Sequence, residues 1–387
     1  MWYWIASPEP SKSTDRVRGL DVNRSATAPR TLRRPTILLA EHVCGGGWIG
    51  KPVPQTLAGE AVAMLVALAN DLAERFDVVC PIESRFTHAI PPKAVGVKIH
   101  ADWQSAWSEL AKQCDRKLII APESDQQLDR AHHAVSPRSV PGYEGDALVR
   151  LTSDKLRLAE YLAQRGIPHP DTFSRRSFQP DAYAADDQFC VKPSDGCGGE
   201  GVRLNVSATD AATLTADQSD ALIQRFVAGR AFSIGAIANG RRWIVLPTAT
   251  LNFSDGEGGG YLGGEVPVDP ADNRRVKKLV GSVIKQLPPP PRGWIGFDVV
   301  LGDDGVDHLI EINPRLCTSF IGMRRCFGPR LALSMVDEAE FDDWFDDLMD
   351  DGEDDIRYAQ SADDSMVRWT RTGNEFVIAS SEPRDAR

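Results

Sequence analysis

The sequence lacks a long apolar run, an excess of basic residues and a paired-cysteine motif. A membrane-spanning helix needs about 20 consecutive apolar residues, and no uncharged apolar run among the 387 residues approaches that length. The formal net charge of −11 disfavours binding to nucleic-acid phosphates, because that mode of binding needs a basic surface. We therefore expect neither a membrane partner nor a nucleic-acid partner.

The cysteines follow no pattern that stabilises secreted domains or binds zinc. They lie at positions 44, 80, 114, 190, 197, 317 and 326, an odd number without a C-x-x-C pair. A disulfide framework and a zinc site are therefore not expected. The first residues, "MWYWIAS", have too short an apolar patch and no preceding basic residue, so we expect no signal peptide. These features predict a cytoplasmic protein.

The length suggests two or three domains at about 150 residues each. Residues 1–34 are polar and arginine-rich without apolar periodicity, which predicts a disordered arm, with a nucleic-acid-binding arm or an early start codon as alternatives. Residues 35–150 alternate short apolar runs with helical periods and predict a parallel βαβ domain. Residues 151–332 form a second unit, and 333–387 form an acidic C-terminal extension.

The second unit begins with a helix that Thr152 or Ser153 is expected to cap. Strand-like segments follow at 188–192, 201–206, 221–227, 231–237 and 242–250, then a helix over 271–287 and the strand pair "GWIGFDVVL" and "DHLIEIN". The acidic stretch 337–355 carries an aromatic face, which predicts a docked terminal helix. A binding motif for a basic partner is the alternative.

A lysine and a glycine-rich loop stand together in "KPSDGCGGEG", residues 192–201. Glycines allow backbone N–H groups to converge on an anion, and Lys192 adds a positive charge, so phosphate is the expected ligand. The lysine precedes the glycines, so this is not a Walker loop. A flexible hairpin is the alternative.

Three oxygen donors are expected to converge on the last strand pair. Asp298 and Glu311 lie on successive strands, and Glu311 and Asn313 are two residues apart, so their side chains share one face. Such donors suit Mg²⁺, which keeps substrate phosphates among its ligands. Arg315, two residues further on, adds a positive charge beside them.

Several motifs in order resemble the ATP-grasp superfamily over roughly residues 36–330. They are Lys155 at a helix start, "VKPSDGCGGEGV", "IQRFVAGR", "GFDVV" and "EINPRL". The resemblance implies an α/β fold of ATP-grasp architecture, in which an N-terminal parallel βαβ domain precedes a two-lobed domain that clasps the nucleotide. Positioning and charge neutralisation are what phosphoryl transfer requires.

The resemblance also implies roles for individual residues. Lys155 and Lys192 would clamp the α and β phosphates of ATP. The loop closing over the β and γ phosphates would be built from Asp195, Gly196, Gly198, Gly199, Glu200 and Gly201. The adenine would meet a hinge formed by Gln224, Arg225, Phe226 and Val227. Two Mg²⁺ ions, with Mn²⁺ as a substitute, would be held by Asp298, Glu311 and Asn313, while Arg315 would stabilise the phosphoryl group during transfer.

Two positions depart from the superfamily pattern. Ala231 stands where many relatives have a ribose-binding Glu, and Gly296 stands where some ligases have an Arg. The segments "ILLAEHVCGGGW" and "EINPRLCTSFIGMR" resemble the branch that contains tyramine–glutamate ligase of methanofuran biosynthesis. That resemblance implies L-glutamate as one substrate and tyramine or tyrosine as the other.

The predicted function is ATP-dependent ligation of a small-molecule carboxylate to an amine through an acyl phosphate. A non-catalytic nucleotide-binding regulator and an ATP-grasp carboxylase or kinase-like enzyme are the alternatives. Residues 45–47 are either a tight turn or a backbone nest for a substrate carboxylate, and 256–267 are either a loop or a lid. The sequence does not determine the oligomeric state.

Overall fold

The computed structural model describes residues 33–136, 145–194, 196, 201–218, 220–253, 261–349, 355–361, 365–372 and 375–380. The first 32 residues, most of the predicted phosphate loop and segment 254–260 lie outside these ranges, so expectations for them stay predictions. Among the helices described, none has both the length and the apolar character that crossing a bilayer requires.

The regular structure of the described residues comprises seventeen strands, ten α-helices and four short helices of other types. The strands are β1 (Thr36–Glu41), β2 (Asp77–Glu83), β3 (Ala94–Ile99), β4 (Arg116–Ile120), β5 (Thr172–Ser174), β6 (Gln188–Pro193), β7 (Arg203–Ser207), β8 (Ala221–Arg225), β9 (Gly229–Asn239), β10 (Trp243–Thr250), β11 (Asn252–Phe253), β12 (Tyr261–Val266), β13 (Arg292–Gly302), β14 (Asp307–Asn313), β15 (Ile356–Tyr358), β16 (Val367–Thr372) and β17 (Glu375–Ser380). The helices are α1 (Gln55–Leu72), α2 (Trp103–Ala111), α3 (Gln127–Val135), α4 (Gly145–Thr152), α5 (Lys155–Gln164), α6 (Ala208–Leu214), α7 (Pro270–Ile284), α8 (Ser319–Phe327), α9 (Arg330–Leu333) and α10 (Glu338–Asp347).

The N-terminal sheet is parallel, in the order β3-β2-β1-β4. Its central strand β1 is buried on both faces, as Ile37, Leu38 and Leu39 are all inaccessible to solvent. Burial on both faces is what a parallel sheet covered by helices requires. The parallel sheet predicted for the N-terminal part of the chain is therefore confirmed.

A small antiparallel sheet follows, in the order β5-β8-β6-β7. One face of this sheet carries Phe189, Val191 and Ile223, which pack in a small apolar core with Ala208 and Ala211 of α6. The side chains that alternate with these residues point to the opposite face, where Lys192 lies. This sheet is one of two lobes in the second unit.

The other lobe is built on a five-stranded sheet in the order β14-β13-β9-β10-β15. Helix α7 packs on one face, where Val276 and Val280 meet Ile295 and Phe297 of β13. Asp269 caps α7 by accepting hydrogen bonds from the backbone N–H groups of the first turn. The opposite face packs Trp294, Ile237 and Ile244 against α8, and carries the polar residue Asp298 further along β13.

The helix around Lys155 begins differently from the sequence expectation. Thr152 does not cap it, because Thr152 ends α4 and its hydroxyl donates 2.9 Å to the carbonyl oxygen of Leu148. Asp154 is the cap, and one of its carboxylate oxygens accepts from the N–H groups of Leu156 and Arg157 at 3.0 and 3.1 Å. A cap at Asp154 makes Lys155 the first residue of α5.

The C-terminal residues contribute strands as well as the predicted helix α10. Strand β15 joins the five-stranded sheet beside β10, and β16 pairs with β12 in a fourth sheet, β11-β12-β16-β17. Trp369 of β16 is buried against α8, where a Cβ on Gly322 would lie 1.9 Å from its ring. Of segment 256–267, residues 261–267 are described, and Tyr261–Val266 among them form strand β12.

Candidate functional site

The three predicted metal ligands lie on one face of the five-stranded sheet. Strand pairing sets Asp298 opposite Glu311 and also opposite Ser233 of β9. Asn313 lies two residues beyond Glu311, and its Nδ2 donates to Asp298 Oδ2 at 3.0 Å. Pairing and the two-residue alternation of strands thus bring two carboxylates and one amide together.

The electrostatics of this face favour a bound cation. Burial raises the pKa of Asp298 to about 7, and the nearby negative charge of Glu311 adds to the shift. Two carboxylates that share a buried site resist simultaneous ionisation unless a positive charge joins them. No group of three His, Cys, Asp and Glu side chains suited to a metal occurs in the described residues, so a bound Mg²⁺ would need phosphate or water oxygens to complete its shell.

Two lysines stand against these acids. Lys155 Nζ lies 3.2 Å from Glu311 Oε1 and donates to the carbonyl oxygen of Gly196 at 2.6 Å. Lys192 is 7% exposed, and burial lowers its pKa while the charge of Glu311 opposes that shift. Both ammonium groups are thus held beside the acids and at the start of the predicted phosphate loop.

The predicted loop and hinge residues extend from this centre. Gly196 and Gly201 are described, whereas Asp195, Gly198, Gly199 and Glu200 lie outside the described residues. Gly201 has a φ of +73°, in the left-handed region that favours glycine.

Of the predicted hinge residues, Gln224 shares the face of Lys192. Cys190 pairs with Gln224 across β6 and β8, two residues from Lys192. Gln224 Nε2 donates to Thr172 Oγ1 at 2.9 Å. Arg225 instead points outward to an ion pair with Asp187. Phe226 and Val227, both partly buried, follow in the link to β9, and the Phe226 N–H already donates to the Gln188 carbonyl oxygen at 2.8 Å.

Arg315 connects the metal face to the N-terminal domain. Its Nε donates to Glu123 Oε2 at 2.7 Å, and its Nη2 lies 3.5 Å from Asn313 Oδ1. Burial is the largest influence on Glu123 and opposes its ionisation, but the charge and hydrogen bond of Arg315, the charge of Lys155 and other positive charge together hold the pKa of Glu123 below its usual value. Sequence reasoning missed Glu123, although its place at the end of "KLIIAPE", just beyond the apolar strand, was a usable signal.

The two departures from the superfamily pattern have different structural contexts. Ala231 lies opposite Val300 on β13. A Cβ on Gly296 would lie 2.4 Å from Cys317 Sγ, so Cys317 occupies the space into which a larger residue would grow. Burial raises the pKa of this thiol to about 12, which keeps Cys317 neutral and unreactive at physiological pH.

Close packing accounts for the glycines at 45–47. A Cβ on Gly45 would lie 2.9 Å from the ring of Trp107, and one on Gly47 would lie 2.2 Å from the ring of His42. The preceding Glu41 is buried and accepts from the backbone N–H of Cys44 at 2.6 Å. The turn is therefore built around packed aromatic rings, and the carboxylate nest stays a prediction.

Glu41 should give the protein a measurable pH dependence of stability. Burial raises its pKa from 4.5 to about 7, so between these pH values the folded state keeps a proton that the unfolded state has lost. The contribution of this group to stability is therefore fully present below the unfolded-state pKa and is lost as pH rises through 7. Between about pH 5 and pH 8, the free energy of unfolding should therefore fall by about 2 kcal/mol less in Glu41→Gln than in the parent. Urea denaturation at both pH values measures this, with exposed Glu74→Gln as control; equal slopes in the parent and Glu41→Gln would contradict it.

Two families match the sequence. Residues 152–319 match the family described as an ATP-grasp domain, and residues 72–140 match the one described as a pre ATP-grasp 3 domain. Among curated proteins, none matches this chain.

Solved structures share the fold across most of the chain. A protein from Archaeoglobus fulgidus, described as belonging to the ATP-grasp superfamily, superposes with a TM-score of 0.64 at 18% identity over 90% of this chain and 100% of that one. An L-amino acid ligase from Bacillus licheniformis gives 0.59 at 14% identity over 87% and 80%. Biotin carboxylase from Campylobacter jejuni gives 0.60 at 13% identity over 86% and 75%. This likeness confirms the predicted α/β fold.

Proposed function

We propose that this chain, which carries an ATP-grasp domain over residues 152–319, is an ATP-dependent ligase that joins a carboxylate to an amine. One observation carries the proposal: Lys155 Nζ lies 3.2 Å from Glu311 Oε1 and bonds to Gly196 at the start of the glycine-rich loop. Lysines, loop amides and metal-binding acids are the groups that hold a triphosphate and neutralise a phosphoryl group in transfer. We propose the cytoplasm as its location.

The residues divide the chemistry among them. Lys155 and Lys192 would bind ATP phosphates, and Asp298, Glu311 and Asn313 would hold two Mg²⁺ ions, with Mn²⁺ as a substitute. Magnesium, when bound, neutralises the charge that develops on the transferred phosphoryl group. Arg315, fixed by Glu123, would orient the substrate carboxylate and the phosphoryl oxygens.

The reaction then runs in two balanced steps. A carboxylate oxygen attacks the γ-phosphorus, and the bond between that phosphorus and the β–γ bridging oxygen breaks, which gives an acyl phosphate and ADP. The amine nitrogen attacks the acyl carbon, phosphate leaves, and the amine loses a proton. Water must be excluded from the acyl phosphate, which is the role we propose for the loop between Lys192 and Gly201 and for segment 256–267.

The fold relatives include proteins of this reaction class, since one is described as an L-amino acid ligase and another as N5-carboxyaminoimidazole synthetase with ADP bound. We propose L-glutamate as the carboxylate and tyramine or tyrosine as the amine. This choice is supported by the resemblance of "EHVCGGGW" and "INPRLCTSFIGMR" to the glutamate-ligase branch.

ADP release with product mass measurement tests the proposal. The full chain with ATP and Mg²⁺ should release ADP with L-glutamate and an amine, and the product mass should equal both reactants minus one water. If ADP forms with another carboxylate but does not form with glutamate and any of the amines tested, only the glutamate assignment is overturned. ADP formed with bicarbonate and no amine would favour a carboxylase, and nucleotide binding without ADP release would favour a regulator.

A further inference from the structure

A second polar cluster, formed by Glu60, Thr318 and Arg371, lies beside the metal face. Glu60 belongs to α1, Thr318 follows β14, and Arg371 belongs to β16. Arg371 Nη1 lies 3.6 Å from Glu60 Oε1, and Thr318 Oγ1 donates to Glu60 Oε2 at 3.4 Å. Three segments far apart in the sequence thus bring one acid, one base and one hydroxyl together.

Tyr261 connects this cluster to the metal face. Its hydroxyl accepts a hydrogen bond from Trp369 Nε1 at 2.7 Å. Burial raises the pKa of Tyr261, and the negative charges of Asp298 and Glu60 add to the shift, so both acids lie near the same phenol. The cluster therefore lies within electrostatic range of the face where we propose that phosphoryl transfer occurs.

The Glu60–Arg371 contact differs from the other arginine–carboxylate pairs nearby. Arg324 and Asp71 are joined by two hydrogen bonds of 2.6 and 2.5 Å. On the same strand as Arg371, Arg368 donates to Glu265 at 2.9 and 2.6 Å. At 3.6 Å, Glu60 and Arg371 make a charge contact longer than a hydrogen bond, although both side chains are under 20% exposed.

Such a pair matches a ligand that carries both charges. Burial raises the pKa of Glu60, while the positive charges of Arg371 and Arg315 oppose the shift. An ammonium group at Glu60 and a carboxylate at Arg371 would replace one long contact by two charge-assisted hydrogen bonds, which are shorter and stronger. The α-carbon of an amino acid carries these two groups side by side.

We infer that Glu60 and Arg371 bind the head group of an α-amino acid substrate, with Glu60 taking the ammonium and Arg371 taking the carboxylate. The inference rests on the proposed ligase function and names the residues that select its substrate class. Both residues lie outside the two family matches, which cover 72–140 and 152–319. Glu60 and Arg371 would therefore contact the amino acid substrate, whereas the matched ATP-grasp domain would hold ATP.

The test pairs two variants with two analogues of L-glutamate. Glutarate lacks only the amino group, and 4-aminobutyrate lacks only the α-carboxylate. Glu60→Gln should raise the KM for L-glutamate about tenfold and leave the KM for glutarate unchanged, whereas Arg371→Gln should do the same for L-glutamate and spare 4-aminobutyrate. The KM for ATP should not change. Arg368→Gln, an exposed arginine on the same strand, is the control.

Binding of L-glutamate to the full chain, measured calorimetrically with ADP and Mg²⁺ present, gives a readout that does not need turnover. If L-glutamate neither binds nor supports ADP release, the other L-amino acids are tested with their des-amino analogues. A variant that weakens all three ligands equally, or no binding and no turnover with any L-amino acid, would overturn the inference. ADP release with a carboxylate that has no amino group would then leave the ligase function standing. If no carboxylate supports ADP release, the ligase function itself is in question. Calorimetric binding of L-amino acids would then still decide whether Glu60 and Arg371 bind the head group.

Discussion

Replacing Glu311 by glutamine should lower kcat/KM for ADP formation by about a hundredfold to a thousandfold. Glu311 lies opposite Asp298 on the sheet and 3.2 Å from Lys155. The change removes one of two carboxylates from the proposed metal site and also the charge that holds Lys155. Both losses act on the transition state, because the metal and the lysine stabilise the same phosphates. The rate of ADP formation against Mg²⁺ concentration measures the effect.

The stability of Glu311→Gln should change far less than its activity. Removing the charge relieves the repulsion between Glu311 and Asp298, but it also removes the acid 3.2 Å from Lys155 and one of the acids that favour the charged form of Lys192. These effects oppose each other, so thermal unfolding should show only a small shift. Asp307→Asn is the matched control, since Asp307 begins the same strand and pairs with Arg275 away from the site. Normal turnover of Glu311→Gln at limiting Mg²⁺ would show that the metal ligands lie elsewhere.

Local patterns were sufficient to predict the metal face. Residues two apart on a strand share a face, and the turn "GDDGV" joins two strands, so the sequence itself places Asp298, Glu311 and Asn313 together. The structure brings these three side chains together, and whether they bind metal stays a prediction. The parallel N-terminal sheet followed from similarly local signals, because buried strands are short continuous apolar runs.

Contacts between distant segments were not predictable. Glu123 and Arg315 are 192 residues apart in the chain, and Glu60 meets Arg371 across an even longer interval. Periodicity reports which face of an element is buried, but not which remote element covers it. The packing of α8 and β16 against the N-terminal domain decides these pairs.

The C-terminal strands were missed for a different reason. Acidic composition suggested a solvated extension, yet "VRWTR" alternates buried Val367 and Trp369 with exposed Arg368 and Thr370. That two-residue alternation is a strand signal. Its partner, β12, contains Gly263 and Gly264, which are unusual in strands. Trp369 explains them, because a Cβ on Gly264 would lie 2.9 Å from its ring.

Replacing Lys192 by alanine should weaken ATP binding or slow turnover at least about tenfold, which corresponds to about 1.4 kcal/mol. The lysine is 7% exposed, and its burial lowers the pKa of the ammonium group. At pH values below the ordinary pKa of lysine, the folded protein therefore holds this charge at a cost in stability. Bound phosphate would offset that cost.

That cost predicts a separation between function and stability. Lys192→Met keeps most of the apolar stem and removes the charge, so it should lose ATP affinity while its free energy of unfolding near pH 7 stays equal to the parent's or rises. Lys117→Met is the matched control, because Lys117 is 6% exposed on β4, in the N-terminal sheet, and burial also lowers its pKa. Calorimetric titration with ADP and Mg²⁺, alongside urea denaturation, measures both quantities for both variants. Equal ADP affinity in Lys192→Met and the parent would remove Lys192 from the phosphate site. If Lys117→Met lost as much ADP affinity as Lys192→Met, the loss would reflect the removal of any buried lysine from a sheet and not a contact with phosphate.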